Sequence, residues 1–142
     1  MNKYFGIDLG SKTIGIAISN SGIIASNYKT IRFTENNYDQ AASLLAQEIK
    51  DLFINIVVIG LPKHMNNDLG IRGQISIDFK DELLKLVNCE VVLWDERLST
   101  KSAIKTLADN KKKKEKQRNL KDEVAAQFIL QNYLDYLKGQ GK

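Results

Sequence analysis

Three carboxylates stand where the hydrophobic pattern of the chain predicts an apolar or neutral residue. Asp8 follows the apolar run at residues 4–7, and Glu96 follows the apolar run at residues 89–94. Asp122 opens the last long helical segment. Carboxylates that are held together repel one another and need a cation, and their hard oxygen atoms suit Mg²⁺ or Mn²⁺. Such a site activates water and stabilises both the attacking and the leaving oxygen in phosphodiester cleavage.

The strands that precede Asp8 and Glu96 decide whether these two acids can meet. Residues 54–59 and 89–94 are uninterrupted apolar runs, which are typical of strands buried on both faces of a parallel sheet. Ligands bind beyond the carboxyl ends of parallel strands. Glu96 therefore lies at that edge of the sheet, and Asp8 lies there too if the first strand runs parallel to the others.

The position of Asp122 on its helix predicts that it points toward the sheet. At about 100° per residue, Asp122 shares a helix face with the apolar residues Ala126 and Ile129. Ala125 and Ala126 keep the first turns of the helix thin, so the helix can approach the sheet closely. A helix that begins in this way can deliver Asp122 to the carboxyl edge.

The remaining strand signals define the sheet. The runs 4–7 and 13–18 flank Gly10–Ser11, which suits a tight hairpin turn. Residues 23–33 predict a third, less regular strand. The sequence thus predicts an α/β fold with a mixed five-stranded sheet, in which three antiparallel N-terminal strands join two parallel strands and helices flank the sheet. No linker or repeat divides the chain, so residues 1–142 are predicted to form a single domain.

Helical spacing of apolar residues predicts a helix before each buried strand, which implies right-handed crossovers. The first helix begins at Asn36–Asn37. The apolar positions are Ala41, Leu44, Leu45, Ile49 and Leu52 in the first helix and Ile75, Phe79, Leu83 and Leu86 in the second. Residues 63–69 are predicted to form a polar loop, and Ser99 to cap a short helix that ends at residue 107 or 108. The final helix is predicted at residues 120–137.

One local stretch carries the basic character of the chain. The formal net charge is +4, and residues 111–118 hold six basic side chains and one acid, so the rest of the chain is nearly neutral. Because apolar residues are absent from it, we expect residues 110–119 to form a basic surface loop. This loop precedes Asp122 and would hold a phosphate backbone near a metal bound there.

Composition excludes several classes of protein. The 142 residues are 43% hydrophobic and 27% charged, which is typical of a globular protein with a buried core. No run approaches the ~20 apolar residues that a membrane helix needs, and the N-terminus has no signal-peptide pattern. The single cysteine, Cys89, excludes an internal disulfide, and with one histidine, His64, a Cys/His zinc site is also excluded. We therefore expect a cytoplasmic protein.

Each acidic residue also has an interpretation without a metal. Asp8 could accept hydrogen bonds from turn amides, and Asp122 could be a helix N-terminal acid that the helix dipole favours. Glu96 could pair with Arg97 or Lys101 on the surface. Asp95 is predicted to face away from Glu96, because successive residues of an extended segment point to opposite sides. The lysine-rich stretch could be a solvated loop.

Four motifs, in order, resemble those of the YqgF family, also called the RuvX or Holliday junction resolvase family. The resemblance covers residues 4–137. The matching residues are Gly6-Ile7-Asp8-Leu9-Gly10 with Lys12-Thr13-Ile14-Gly15-Ile16-Ala17, then Gly60-Leu61-Pro62, then Asp95-Glu96-Arg97-Leu98-Ser99-Thr100, and last Asp122 before Ala125-Ala126 with Ile129-Leu130-Gln131 and Tyr133-Leu134. The chain has Asn66-Asn67 where the family usually has an Asp-Gly turn, and asparagine tolerates the same left-handed backbone.

The resemblance implies an RNase H-like fold and a nuclease that depends on Mg²⁺ or Mn²⁺. Asp8, Glu96 and Asp122 match the acids proposed as catalytic in the family and would bind the metal. Members of the family are described as nucleases of precursor 16S ribosomal RNA. The resemblance therefore implies a structured RNA substrate, and processing of the 5′ end of pre-16S rRNA in ribosome biogenesis.

Basic and hydroxyl residues near these motifs are the candidates for contacts to nucleic acid. They are Lys12, Thr13, Arg97, Ser99, Thr100, Lys111, Lys112, Lys113, Lys114, Lys116 and Arg118. Phosphate contacts do not distinguish RNA from DNA, so the substrate could also be branched DNA.

Three other functions compete with RNA processing. A resolvase of four-way DNA junctions needs two active sites and hence a dimer. The sequence shows no obvious dimer face, so we expect a monomer or a weak homodimer. A non-catalytic nucleic-acid-binding module would keep the basic stretch without needing a metal. Residues 8–15 also resemble the phosphate loop of actin-like ATPases and sugar kinases, but those enzymes enclose nucleotide between two such domains.

Overall fold

The computed structural model describes residues 2–61, 70–95 and 114–139, and for residues 114–123 it describes the backbone alone. The strands are β1 (Tyr4–Leu9), β2 (Thr13–Ser19), β3 (Ser26–Arg32), β4 (Ile56–Leu61) and β5 (Glu90–Asp95). The helices are α1 (Tyr38–Leu52), α2 (Gly70–Leu84) and α3 (Lys114–Gly139). No helix in these ranges is both long and apolar enough to cross a membrane.

The strands form one mixed sheet in the order β3-β2-β1-β4-β5. The pairs β1–β2 and β2–β3 are antiparallel, whereas β1–β4 and β4–β5 are parallel. The predicted α/β architecture is therefore confirmed, including its three antiparallel and two parallel strands. Because β1, β4 and β5 run in the same direction, their carboxyl ends share one edge of the sheet, which we call the carboxyl edge.

The two faces of the sheet pack against different helices. On one face the β1 residues Phe5, Ile7 and Leu9 belong to a core with α1 and α2. On the other face Tyr4 belongs to a second core, which α3 covers with residues such as Ala126 and Leu130. We refer to these as the α1/α2 face and the α3 face. The alternation along β1 follows from the two-residue period of a strand.

The first helix begins where the sequence predicts. The side chain of Asn37 accepts a hydrogen bond from the backbone N–H of Gln40 at 3.1 Å, and α1 starts at the next residue. The helix buries Ala42 and Ala46 against the sheet, whereas Leu44 is 40% exposed. Leu44, although it belongs to the apolar pattern of the sequence, therefore lies outside the buried face of α1.

The third strand is shorter than predicted. It begins at Ser26, and Ile23 and Ile24 are exposed. The side chain of Gln131 in α3 donates to the Ile23 carbonyl at 2.9 Å and accepts from the Ala25 backbone N–H at 2.8 Å. This segment therefore satisfies backbone groups through a helix side chain instead of a strand partner.

The basic loop predicted at residues 110–119 is wrong over residues 114–119, because α3 begins at Lys114. Lysine, glutamate, glutamine and arginine have long unbranched side chains and are good helix formers, even where no apolar stripe marks a helix. Residues 110–113 lie outside the described residues. The predicted polar loop at 63–69 and the short helix that starts at Ser99 lie outside them as well.

Candidate active site

Among the three predicted metal ligands, Asp8 is the one whose backbone and side chain the structure describes. It is the second-to-last residue of β1, so the strand extends through the acid instead of ending before it. Because Tyr4 contributes to the core under α3, the two-residue period places Gly6 and Asp8 on the α3 face as well. Asp8 is half-buried and pairs in register with Gly15 of β2. The carboxylate thus belongs to the carboxyl edge, on the side that α3 covers.

Helix α3 lies directly on β1 at Gly6. A Cβ atom at position 6 would lie 2.5 Å from the Cβ of Leu130 and 2.7 Å from the carbonyl oxygen of Ala126. Real Cβ atoms do not approach other atoms so closely, so only glycine allows this contact. The close approach predicted from Ala125 and Ala126 is therefore confirmed, two residues before Asp8. The prediction that these alanines and Asp122 lie at the start of the helix is wrong, because α3 begins at Lys114.

The contacts of α3 also show which way the helix runs. Its C-terminal residues Leu134 and Leu137 line a groove together with Tyr4, while Ala126 lies over Gly6. Helix α3 therefore runs antiparallel to β1, with its N-terminal part toward the carboxyl edge.

The backbone of α3 reaches the level of Asp8 at position 122. From Ala126 to Asp122 the helix advances one turn, or about 6 Å along its axis. From Gly6 to Asp8 the strand advances about 6.6 Å in the same direction. The side chain of Asp122 lies outside the described residues, so its prediction as a ligand stays a prediction.

The alternation of side chains at the end of β5 shows which face of the sheet Asp95 belongs to. Val92 and Trp94 pack on the α3 face, and Val91 packs on the α1/α2 face. By this alternation Asp95, which pairs in register with Leu61, belongs to the α1/α2 face. Glu96 lies outside the described residues, so its role also stays a prediction.

An aromatic cluster fixes the end of β5 beneath α3. The rings of Trp94 and Tyr133 meet edge to face with centroids 5.4 Å apart, and Tyr136 lies 5.2 Å from Trp94. Burial raises the pKa of Tyr133, so this phenol remains neutral at physiological pH. The cluster holds α3 against β5 at the side of the sheet from which Glu96 continues.

Within the described residues, no three histidine, cysteine or acidic side chains come together as a metal-binding group. Since the side chains of Glu96 and Asp122 lie outside that set, the predicted trio is not tested by it. Among the three proposed ligands, the structure places the Asp8 side chain and the Asp122 backbone.

The turn between β1 and β2 holds Lys12 next to the candidate site. The Gly10 N–H donates to the Thr13 carbonyl at 2.8 Å, and the Phe33 N–H donates to the Lys12 carbonyl at 2.9 Å. The Asn36 N–H donates to the carbonyl of Ser11 at 2.8 Å. The turn backbone is therefore tied down, while the Lys12 side chain is exposed and Thr13 is half-buried.

The other predicted nucleic-acid contacts are placed in part or not at all. Those whose backbone belongs to α3, with side chains outside the described set, are Lys114, Lys116 and Arg118. Those outside the described residues altogether are Arg97, Ser99, Thr100, Lys111, Lys112 and Lys113.

Sequence reasoning missed Arg72, a basic residue of α2 that reaches the carboxyl edge. Its guanidinium donates a hydrogen bond to the carbonyl oxygen of Leu9 at 3.0 Å. No motif in the sequence marks Arg72, because the acceptor is a backbone group 63 positions earlier in the chain.

Comparisons with known proteins agree with this architecture. A family model described as "RuvX: Holliday junction resolvase" matches residues 2–136. A protein of Onion yellows phytoplasma (strain OY-M), named "Putative pre-16S rRNA nuclease", is 54% identical over 138 residues, which cover 96% of this chain and 91% of the relative. A protein of the same name from Staphylococcus carnosus (strain TM300) is 44% identical over 139 residues, which cover 96% of this chain and 98% of the relative.

A solved structure shares the fold despite low sequence identity. It is RuvC of T. thermophilus in complex with a Holliday junction substrate, with a TM-score of 0.67 and 10% identity. The match covers 99% of this chain and 98% of that chain. The sheet described above is thus an RNase H-like fold.

Proposed function

Because the chain belongs to the RuvX family of Holliday junction resolvases, a family of phosphodiester-cleaving nucleases, we propose that it is a metal-dependent nuclease. Its proposed substrate is structured RNA, and its proposed reaction is maturation of the 5′ end of pre-16S rRNA. The names of the similar phytoplasma and staphylococcal proteins support this choice of substrate.

The observation that carries the proposal is the contact of α3 with β1 at Gly6. It lets the helix approach closely enough for position 122 to come level with Asp8 at the carboxyl edge. In the proposed site Asp8, Glu96 and Asp122 hold Mg²⁺ or Mn²⁺, since carboxylate oxygens are the ligands that these cations prefer. The bound cation would supply a Lewis acid that activates water and stabilises charge on the leaving oxygen.

The protein itself would bind and orient the substrate. Asp8 is fixed by its place within a central strand, so its carboxylate has little freedom to move away from the edge. The exposed Lys12 side chain extends from a tied turn and would contact a phosphate near Asp8. The basic residues at the start of α3 and just before it would contact the backbone farther along, in a salt-dependent manner.

Cleavage of branched DNA is the second candidate function. The similarity of the fold to RuvC in its complex with a Holliday junction favours it. Symmetric resolution of a four-way junction requires two active sites and hence a dimer. A protein that remains monomeric when it is bound to a junction would argue against this function.

The test compares Asp8→Asn with wild type on precursor rRNA fragments and on synthetic four-way junctions, with Mg²⁺, Mn²⁺ or a chelator. We expect Asp8→Asn to lower the cleavage rate more than about 100-fold, beyond the 10–100-fold cost of losing an outer-shell partner of a metal site. RNA binding should persist, because the basic residues are unchanged.

The matched control is Asp95→Asn, which removes an acid from the end of β5, two strands away from β1 and on the α1/α2 face. It should leave the cleavage rate near that of wild type. Cleavage by Asp8→Asn at the wild-type rate, or cleavage that continues in the presence of chelator, would contradict the proposal.

A further inference from the structure

We propose that Arg72 binds an RNA phosphate at the carboxyl edge, opposite the α3 side of the site. This inference rests on the proposed function, since it assigns a substrate contact to the same edge. Arg72 is exposed, so the phosphate backbone of a nucleic acid can reach its guanidinium. The chemistry it offers is the planar set of N–H donors with which arginine recognises phosphate.

The peptide plane between Leu9 and Gly10 shows where the guanidinium lies. The Gly10 N–H points toward β2, because it donates to the Thr13 carbonyl at 2.8 Å. In a trans peptide the N–H and the preceding carbonyl point in opposite directions, so the Leu9 carbonyl points toward β4. Arg72 donates to that carbonyl at 3.0 Å and therefore lies between the carboxyl ends of β1 and β4.

This position is the crevice in which open α/β sheets bind ligands. The Leu9 carbonyl belongs to the residue directly after Asp8, so the guanidinium and the proposed metal ligand share one end of β1. Because Leu9 faces the α1/α2 core and Asp8 faces α3, Arg72 approaches the edge from the side opposite the acid. A phosphate backbone that crosses the edge at Asp8 would then meet Arg72 at a neighbouring phosphate.

The hydrogen bond to Leu9 orients the guanidinium without using up its donors. Arginine has five N–H donors, and the Leu9 carbonyl accepts from one terminal nitrogen. A side chain held in this way loses less conformational entropy on binding than a free surface lysine does. Arg72 is thus a preorganised cation at the carboxyl edge.

The experiment measures RNA affinity as a function of salt in the Asp8→Asn background, so that binding is read without cleavage. The probe is a fluorescein-labelled RNA hairpin with single-stranded flanks. The slope of log K against log salt is negative, and Arg72→Gln should make it shallower by about 0.7–0.9, the value for one lost phosphate contact. Arg72→Lys should leave the slope unchanged. With Asp8 intact, Arg72→Gln should raise KM for cleavage more than it lowers kcat.

The matched control is Lys85→Gln, which removes the same charge just beyond the other end of α2. Lys85 lies about 20 Å from Arg72 along the helix, beyond a Debye length at 0.1 M salt, so its slope should equal that of wild type. A merely structural role for Arg72 would lower stability and leave the slope unchanged, and this result would overturn the inference. Absence of RNA binding in all variants would overturn it too.

Failure of the proposed function gives a different result. In that case Asp8→Asn would cleave RNA as wild type does, or neither would cleave it, while the change in salt slope at Arg72 would still appear. The two proposals can therefore fail separately.

Discussion

The two faces of the sheet are built in opposite ways. The α1/α2 face is filled by large apolar side chains, and Phe5, Ile7 and Phe79 are at most 1% exposed there. The α3 face is thin where the helix crosses β1, because Gly6 and Ala126 let two backbones meet. The first arrangement stabilises the fold, whereas the second brings a helix down to the edge that carries Asp8. Strand β1 therefore contributes to stability through one face and to the candidate site through the other.

Replacing Gly6 by a larger residue should reduce stability and activity more than any other substitution discussed below. Gly6→Val places branched atoms where even a Cβ would lie 2.5 Å from Leu130. We expect it to prevent folding or to cost more than the 1–3 kcal/mol that is usual for overpacking. Gly6→Ala should cost about 1–3 kcal/mol and lower cleavage as well, since α3 must shift away from β1. Urea unfolding measures the first quantity and RNA cleavage measures the second.

The control for this prediction is Gly139→Ala, at the other end of α3. A Cβ there meets nothing within 4 Å, so its free energy of unfolding should not fall. If Gly6→Ala were as stable and as active as wild type, the contact of α3 with β1 would not position the site.

Substitutions of the neighbouring β1 residues Ile7 and Asp8 should have opposite effects on stability and on cleavage. Ile7 is fully buried on the α1/α2 face, so Ile7→Ala should lower the free energy of unfolding by about 2–5 kcal/mol. Folded Ile7→Ala should retain the salt dependence of RNA binding, because no charge changes. Asp8→Asn should do the reverse and lose cleavage while the free energy of unfolding changes by less than about 1 kcal/mol. Equal losses of stability in both variants would contradict the division between the two faces.

The smallest effect concerns a polar link at the rim of the α1/α2 face. Glu48 in α1 accepts a hydrogen bond from the Tyr28 hydroxyl at 2.7 Å and pairs with Lys29 at 3.0 Å. Burial disfavours the charge of Glu48, but the hydrogen bonds from Tyr28 and Lys29 outweigh it and lower its pKa. Glu48→Gln should cost about 1 kcal/mol at neutral pH, since Lys29 is largely exposed and its ion pair adds little.

The pH dependence of this effect has a definite sign. Because the pKa of Glu48 is lower in the folded state, its stabilisation is complete above the unfolded value of about 4.3 and is lost as pH falls through the folded value. The difference in stability between wild type and Glu48→Gln should therefore shrink below about pH 4. The control variant is Glu82→Gln, which removes an acid whose ion pair with the exposed Lys85 spans 3.4 Å.

The architecture of the sheet could be predicted because β1, β2, β4 and β5 are each built around an apolar run, whereas the polar β3 was predicted less accurately. The parallel order followed from buried strands that alternate with helices, and the start of α1 followed from the capping asparagine at position 37. The closeness of α3 to the sheet was predicted from Ala125 and Ala126. Its partner, Gly6, was not identified, because a contact between distant segments leaves no periodic signal.

Two features could not be predicted from the sequence. One is a helix formed by long polar side chains, and the other is a hydrogen bond from a side chain to a distant backbone group. Residues 114–119 are helical because their side chains favour helices, and a reading that relied on apolar spacing could not detect this. The contact of Arg72 with the Leu9 carbonyl depends on the direction of one peptide plane, which only the folded chain defines. Both errors concern groups that lack a hydrophobic pattern.

A crystal structure with Mn²⁺ and an anomalous difference map would show whether the three carboxylates bind one metal ion. We expect an anomalous peak at the carboxyl edge, within coordination distance of carboxylate oxygens of Asp8, Glu96 and Asp122. A map with no peak beside Asp8, or one in which Glu96 or Asp122 points to another side of the molecule, would contradict this expectation.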